Sequence, residues 1–140
     1  MSWLSRRKRH LVLVEPATDW PALTAALLNR CQGLCEACGL PLPADESAWD
    51  RHHRQSRRFG DNSISNLVAL HSQCHVISRG SVHQRVSWAK DMGLIVPSWQ
   101  RPETASMWLP DGRLVYLTKF GLYHVIQEAN EDAGLDFDRW

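Results

Sequence analysis

Leu23, Leu27 and Leu28 recur at helical spacing behind Thr18-Asp19-Trp20-Pro21, where a capping side chain and an early proline mark a helix start. The pattern predicts a helix over 19–31. Residues 33–39, Gly-Leu-Cys-Glu-Ala-Cys-Gly, break the periodicity as a tight knuckle, and Pro41 and Pro43 interrupt the chain beyond it. The stretch 47–54 has no helical apolar stripe, and its mixed Trp, Asp and His content predicts a short strand emerging into polar surroundings. Polar residues 55–66 predict a long loop, and Leu67-Val68-Ala69-Leu70 a buried strand. Ser72 is placed to cap a helix carrying Cys74 and His75 in its first turn. Val82, Val86 and Ala89 share one side of a helix ended by Gly93. A hairpin is expected over 107–117 around Pro110-Asp111-Gly112, and a final helix over 121–130.

The order strand, loop, strand, helix predicts an α+β fold. We divide the chain into a basic arm (1–18), a core with its preceding and following helices (19–92), and a C-terminal extension of hairpin and helix (93–140).

The net charge of +1 conceals an uneven distribution. Arg6, Arg7, Lys8 and Arg9 form one basic block and Arg51, Arg54, Arg57 and Arg58 another, whereas Glu128, Glu131, Asp132, Asp136 and Asp138 gather late. A basic front with an acidic tail suits a polyanion that meets only part of the surface. The apolar run at 11–14 is too short for a signal peptide or membrane span, so a cytoplasmic protein with no membrane partner is expected.

In a reducing compartment, Cys31, Cys35, Cys38 and Cys74 read as thiols or metal ligands rather than disulfides. Cys35 and Cys38 make one half-site, and His71 and Cys74 repeat its two-residue spacing. Together they make a closed tetrahedral site for structural zinc. A redox Cys-x-x-Cys would want a helix starting at the motif, which Gly39-Leu40-Pro41 opposes. Cys31 is expected to pack as a small apolar residue. Cys74 and His75, neighbours on a helix, should face different places, so that one helix serves two metals.

Asp50-Arg51-His52-His53-Arg54, then Asn66-Leu67-Val68-Ala69-Leu70, then Cys74-His75 resembles the HNH endonuclease family, including the zinc half-sites flanking its core, over about residues 33–79. The stretch Gly93-Leu94-Ile95-Val96-Pro97-Ser98-Trp99 and the late strand pair also look like small members from actinobacteria and their phages. The resemblance implies a ββα-metal core gripping one divalent cation and hydrolysis of DNA phosphodiester bonds by nicking or double-strand cutting. The lack of a recognition helix or reading domain adds an expectation of low intrinsic sequence specificity, and a site open to water and phosphate oxygens suits Mg²⁺ or Mn²⁺. Residue by residue, the resemblance makes His52 and His75 metal ligands, His53 the general base, and Asn66 the residue that holds the base and pins the loop. Arg54, Arg57 and Arg58 would clamp the nucleic-acid backbone. Asp50 is either a metal carboxylate or a surface acid paired with arginine. Arg79 stands where many relatives offer another histidine, and His83 lies too far along to be assigned, leaving two protein ligands for the cation.

Two rival readings use the same residues. One is a non-catalytic zinc module that binds nucleic acid or protein. The other is a subunit of a larger DNA-processing complex, of unspecified oligomeric state, docking through Trp88, Trp99 and Trp108.

Overall fold

The computed structural model describes residues 19–56, 61–77 and 80–129 of the 140-residue chain. The expected basic arm, Arg57, Arg58 and the tail beyond 129 lie outside the described residues. The first helix, α1 (Trp20–Cys31), begins where Asp19 accepts a hydrogen bond from the Ala22 amide and Pro21 occupies the first turn. It ends at Gln32, whose left-handed backbone (φ 56°) releases the chain into the knuckle.

Strands β1 (Trp49–His53) and β2 (Leu67–His71) pair antiparallel, with Trp49 opposite His71 and His53 opposite Leu67. This ribbon is covered on both faces. Trp49, Leu67 and Ala69 pack with Leu23, Leu27 and Cys31 of α1. Val68 and Leu70 point the other way, into a core shared with Cys35, Val82, Ala89, Leu94, Met107, Leu109, Val115 and Leu117. Such double coverage explains why β2 is an unbroken apolar run rather than an alternating one.

After β2 the chain makes a single π-helical turn (Gln73–Ile77), then α2 (Val86–Met92), closed by Gly93 at φ 80°. A Cβ at Gly93 would stand 2.1 Å from the Ser106 carbonyl oxygen, so both the backbone angle and the close approach require glycine. Strands β3 (Met107–Trp108), β4 (Leu114–Leu117) and β5 (Tyr123–Gln127) form a three-stranded antiparallel sheet in that order. The expected final helix is therefore a strand over 123–127. Tyr123, Val125 and Ile126 favour extended backbone, and pairing with β4 outweighs the short helical pattern. Because Leu94, Met107, Leu109, Val115 and Leu117 share a core with Cys35 and Val68, the segment from 93 to 127 is integral to the nuclear packing of the fold rather than an appendage.

A buried ion pair joins these layers. Arg30 donates from Nε and Nη2 to Glu36 (3.1 and 2.7 Å) and to the Ile64 and Leu67 carbonyls, while Glu36 accepts from the Ala69 amide and the Tyr123 hydroxyl. Burial alone would lower the Arg30 pKa, but Glu36 outweighs it and holds the guanidinium above its ordinary value. Among the described residues no helix is long and apolar enough to cross a membrane. Of the three tryptophans expected to dock a partner, Trp88 packs against the core, Trp108 is half-buried, and Trp99 alone stands open at 81% exposure.

Candidate metal centres

The ligand atoms of Cys35, Cys38, His71 and Cys74 all lie within 4.8 Å of one another. Backbone bonds from Gly39 N to Cys35 O and from Cys35 N to Leu40 O shape the knuckle that turns the first two inward. His71 comes from the end of β2, where its Nε2–H donates to the Pro41 carbonyl at 2.8 Å. That bond leaves Nδ1 unprotonated, 3.2 Å from the Cys38 sulfur and 4.0 Å from that of Cys74. These separations straddle the roughly 3.5 Å expected between N and S ligands of one tetrahedral zinc. Burial and the neighbouring Cys35 and Cys38 push the Cys74 thiol well up, and Cys38 is raised as well. The crowded Cys38 and Cys74 thiols resist ionising unless a cation sits among them, so the chemistry of the donor set fits zinc.

A second cluster brings together His52, His75 and His83, again within 4.8 Å. His52 projects from β1 into the main core, 3% exposed, and its Nε2–H donates to the Leu94 carbonyl at 2.6 Å. Nδ1 is thereby left with its lone pair. Burial, and then the nearby histidines, push its pKa down to about 3, so the ring is neutral, as a ligand must be. His75 Nδ1–H donates to Asp50 Oδ2 at 2.9 Å, leaving Nε2 bare, 3.0 Å from His83 Nε2. Asp50 also accepts from the Ser72 hydroxyl at 3.2 Å. Among the described residues its partners are His75 and Ser72 and no arginine: it orients His75, as carboxylates behind metal-binding histidines commonly do. Ser72, expected as a helix cap, serves this carboxylate.

His83 is the residue that sequence reasoning missed. Val82 N donates to Cys74 O and His83 N to His75 O, folding the chain back across the turn instead of continuing the helix. A third imidazole therefore arrives eight positions after His75 rather than four. Burial and then His75 lower the His83 pKa, keeping this ring unprotonated too. Three imidazoles, two of them with a ring N–H committed to Leu94 O and to Asp50, fit a divalent cation. The single turn also sends Cys74 to one cluster and His75 to the other.

His53 joins neither cluster. The β1–β2 register is regular, so His53 takes the opposite face from His52 and lies edge-on to Trp20, ring centroids 6.4 Å apart. Its Nε2–H donates to Asn62 Oδ1 at 2.7 Å. Asn66, expected to hold this ring, does not touch it. Its fully buried amide accepts from Gln55 N and donates to the Gln55 and Asp61 carbonyls, which pins the loop between the strands. Asn62, between Asp61 and Ser63, makes the contact instead. The turn itself is closed by Asp61 accepting from Ser63 N.

Arg54, expected to clamp a nucleic-acid backbone, is 1% exposed. It donates to the carbonyls of Gly93 (2.8 Å), Ser65 (3.0 Å), Pro102 (3.0 Å) and Ala105 (2.6 Å), so its job is to bind the C-terminal segment to the strand ribbon. Burial and the charge of Arg30 push its pKa down to about 10, which still leaves it cationic at neutral pH. Arg54→Met strands these carbonyls. A loss of about 3–5 kcal/mol in urea unfolding is expected, because buried acceptors lose a charged donor.

Residues 35–78 match the family model described as HNH endonuclease, and no curated protein or solved structure matches the chain.

Proposed function

We propose, from the premise that residues 35–78 are an HNH endonuclease domain, that this protein hydrolyses DNA phosphodiester bonds with a divalent ion held by His52, His75 and His83. The observation that carries the proposal is the three-imidazole cluster, two of whose rings are fixed in the ligand tautomer by Leu94 O and Asp50. An ion there supplies Lewis-acid stabilisation of charge on the phosphate and leaving oxygen. His53 is the general base: donation from Nε2 to Asn62 leaves Nδ1 free to take a proton from the attacking water. Asn66 keeps the loop that bears Asn62 in place, and so positions His53 at second hand. The Cys35, Cys38, His71, Cys74 set holds zinc as scaffold.

Three nitrogen donors alter the expected choice of ion. Mg²⁺ is hard and prefers oxygen, whereas Mn²⁺, Ni²⁺ and Zn²⁺ accept imidazole readily. Plasmid cleavage compared across Mg²⁺, Mn²⁺, Ni²⁺ and Zn²⁺ should therefore favour a transition ion. His83→Ala should weaken binding of that ion by about 10²-fold, at least as much as loss of a residue that merely orients a ligand. No cleavage with any ion, or an unaltered ion affinity in His83→Ala, would sink this reading of the site.

A further inference from the structure

A groove of about 590 Å³ opens beside the histidine centre, lined by Trp20, Trp49, Asp50, Arg51, His75 and Val76. His75 belongs to both, so whatever lies in the groove abuts the ion site. The walls are aromatic and cationic. The Arg51 guanidinium lies 5.5 Å from the Trp20 ring centre and 5.2 Å from that of Trp49, and is anchored by donation from Nε to Thr24 Oγ1 at 2.8 Å. Trp20 and Val76 remain 39% and 41% exposed, so apolar surface is open to whatever enters the groove. Trp20 also meets His53 edge-on, so it borders both the proposed base and the groove.

A strand whose phosphate lies at the histidine centre carries a base on each side of that phosphate. Within a duplex both faces of that base are covered by its neighbours. Only an unpaired or extruded base offers a π-face to an indole, and such stacking tolerates any base. Arg51 complements it twice, as a cation beside the ring and as a counter-charge to the backbone. Asp50, the one acid in the groove, is committed to His75 and Ser72, so little free negative charge opposes the strand.

We propose that this groove takes an unpaired nucleobase next to the phosphate at the histidine centre, so that the protein prefers single-stranded, gapped or mismatched DNA to continuous duplex. The cleavage part of this statement rests on the nuclease reading above.

The test compares one duplex oligonucleotide with the same sequence carrying a short gap, cut by the zinc-loaded protein with Mn²⁺. The parent should cut gapped DNA about 10-fold faster or more, the range base–aromatic stacking supplies. Trp20→Leu, which keeps an apolar side chain in the first turn of α1, should bring the ratio of the two rates near one, and Trp20→Phe should retain most of it. Ion-free binding of a single-stranded oligonucleotide, followed by anisotropy, should weaken about 10-fold in Trp20→Leu and little in Trp20→Phe. Equal cutting of both substrates by the parent, or a ratio untouched by Trp20→Leu, overturns the groove's role and leaves the nuclease reading standing. Absence of cutting with binding still sensitive to Trp20→Leu does the reverse: it overturns the nuclease reading and supports the base site.

Discussion

His53→Ala is expected to lower plasmid cleavage by about 10²–10⁴-fold, the usual worth of a positioned general base, while divalent-ion affinity stays close to that of the parent. The separation follows from geometry. His52 is buried, donates to Leu94 O, and clusters with His75 and His83. His53, one residue on, faces the other side of the ribbon, where Asn62 holds its Nε2–H and nothing ties it to the three-histidine set. His52→Ala should therefore show the opposite signature, losing the ion first and activity as a consequence. Titration calorimetry with Mn²⁺ or Ni²⁺ beside single-turnover cleavage distinguishes the two. Asn62→Ala, which frees the ring without removing it, should fall between parent and His53→Ala. If the protein were a non-catalytic zinc module, none of these variants would alter turnover, because there would be none to alter. A His53→Ala protein that cuts like the parent removes the base from its assigned place.

What could be read in the sequence was the part encoded by local pattern. Asp19 before Trp20-Pro21 announces α1, the apolar run 67–70 announces a buried strand, and the paired two-residue spacings announce the Cys35, Cys38, His71, Cys74 set. What could not be read depends on contacts between distant segments. Arg54 looks like a member of a basic patch until Gly93, Pro102 and Ala105 return their carbonyls to it from about 40 to 50 residues away. Asn66 and Asn62 are both plausible partners for His53 in one dimension. Only the turn closed by Asp61 and Ser63 decides which amide reaches the ring. His83 looks too far along to be a ligand because helical spacing puts a partner for His75 four residues on, and the chain instead doubles back through two backbone hydrogen bonds. It also lies beyond residue 78, where the family match ends. The strand at 123–127 carries too few residues for its period to be told from a helix. Its identity comes from the open edge of β4 that it pairs with.

Removal of the zinc we propose for the Cys35, Cys38, His71, Cys74 set should have a larger effect than any single substitution above, because it acts on both centres. Zinc bound by such a set contributes about 10–16 kcal/mol of apparent binding energy in small zinc domains, comparable with the whole stability of a domain this size. Here Cys35 sits inside the main core with Val68 and Leu70, while Cys74 opens the turn that carries His75. The Cys74 carbonyl also receives Val82 N, one of the two bonds that bring His83 back to the site. Chelation should therefore abolish the cooperative thermal transition and cleavage together, and Mg²⁺ or Mn²⁺ alone should not restore either. Zinc should restore both. Cys38→Ser is the sharper form of the experiment. Cys38 is exposed, so exchanging sulfur for oxygen there costs little in packing, and a large loss of Tm must come from the ligand bond. Elemental analysis should fall by one zinc per chain in that variant. An unchanged Tm with zinc lost would mean that the core holds the knuckle by itself, and that the His75–His83 arrangement is supported by β1 and β2 rather than by the ion.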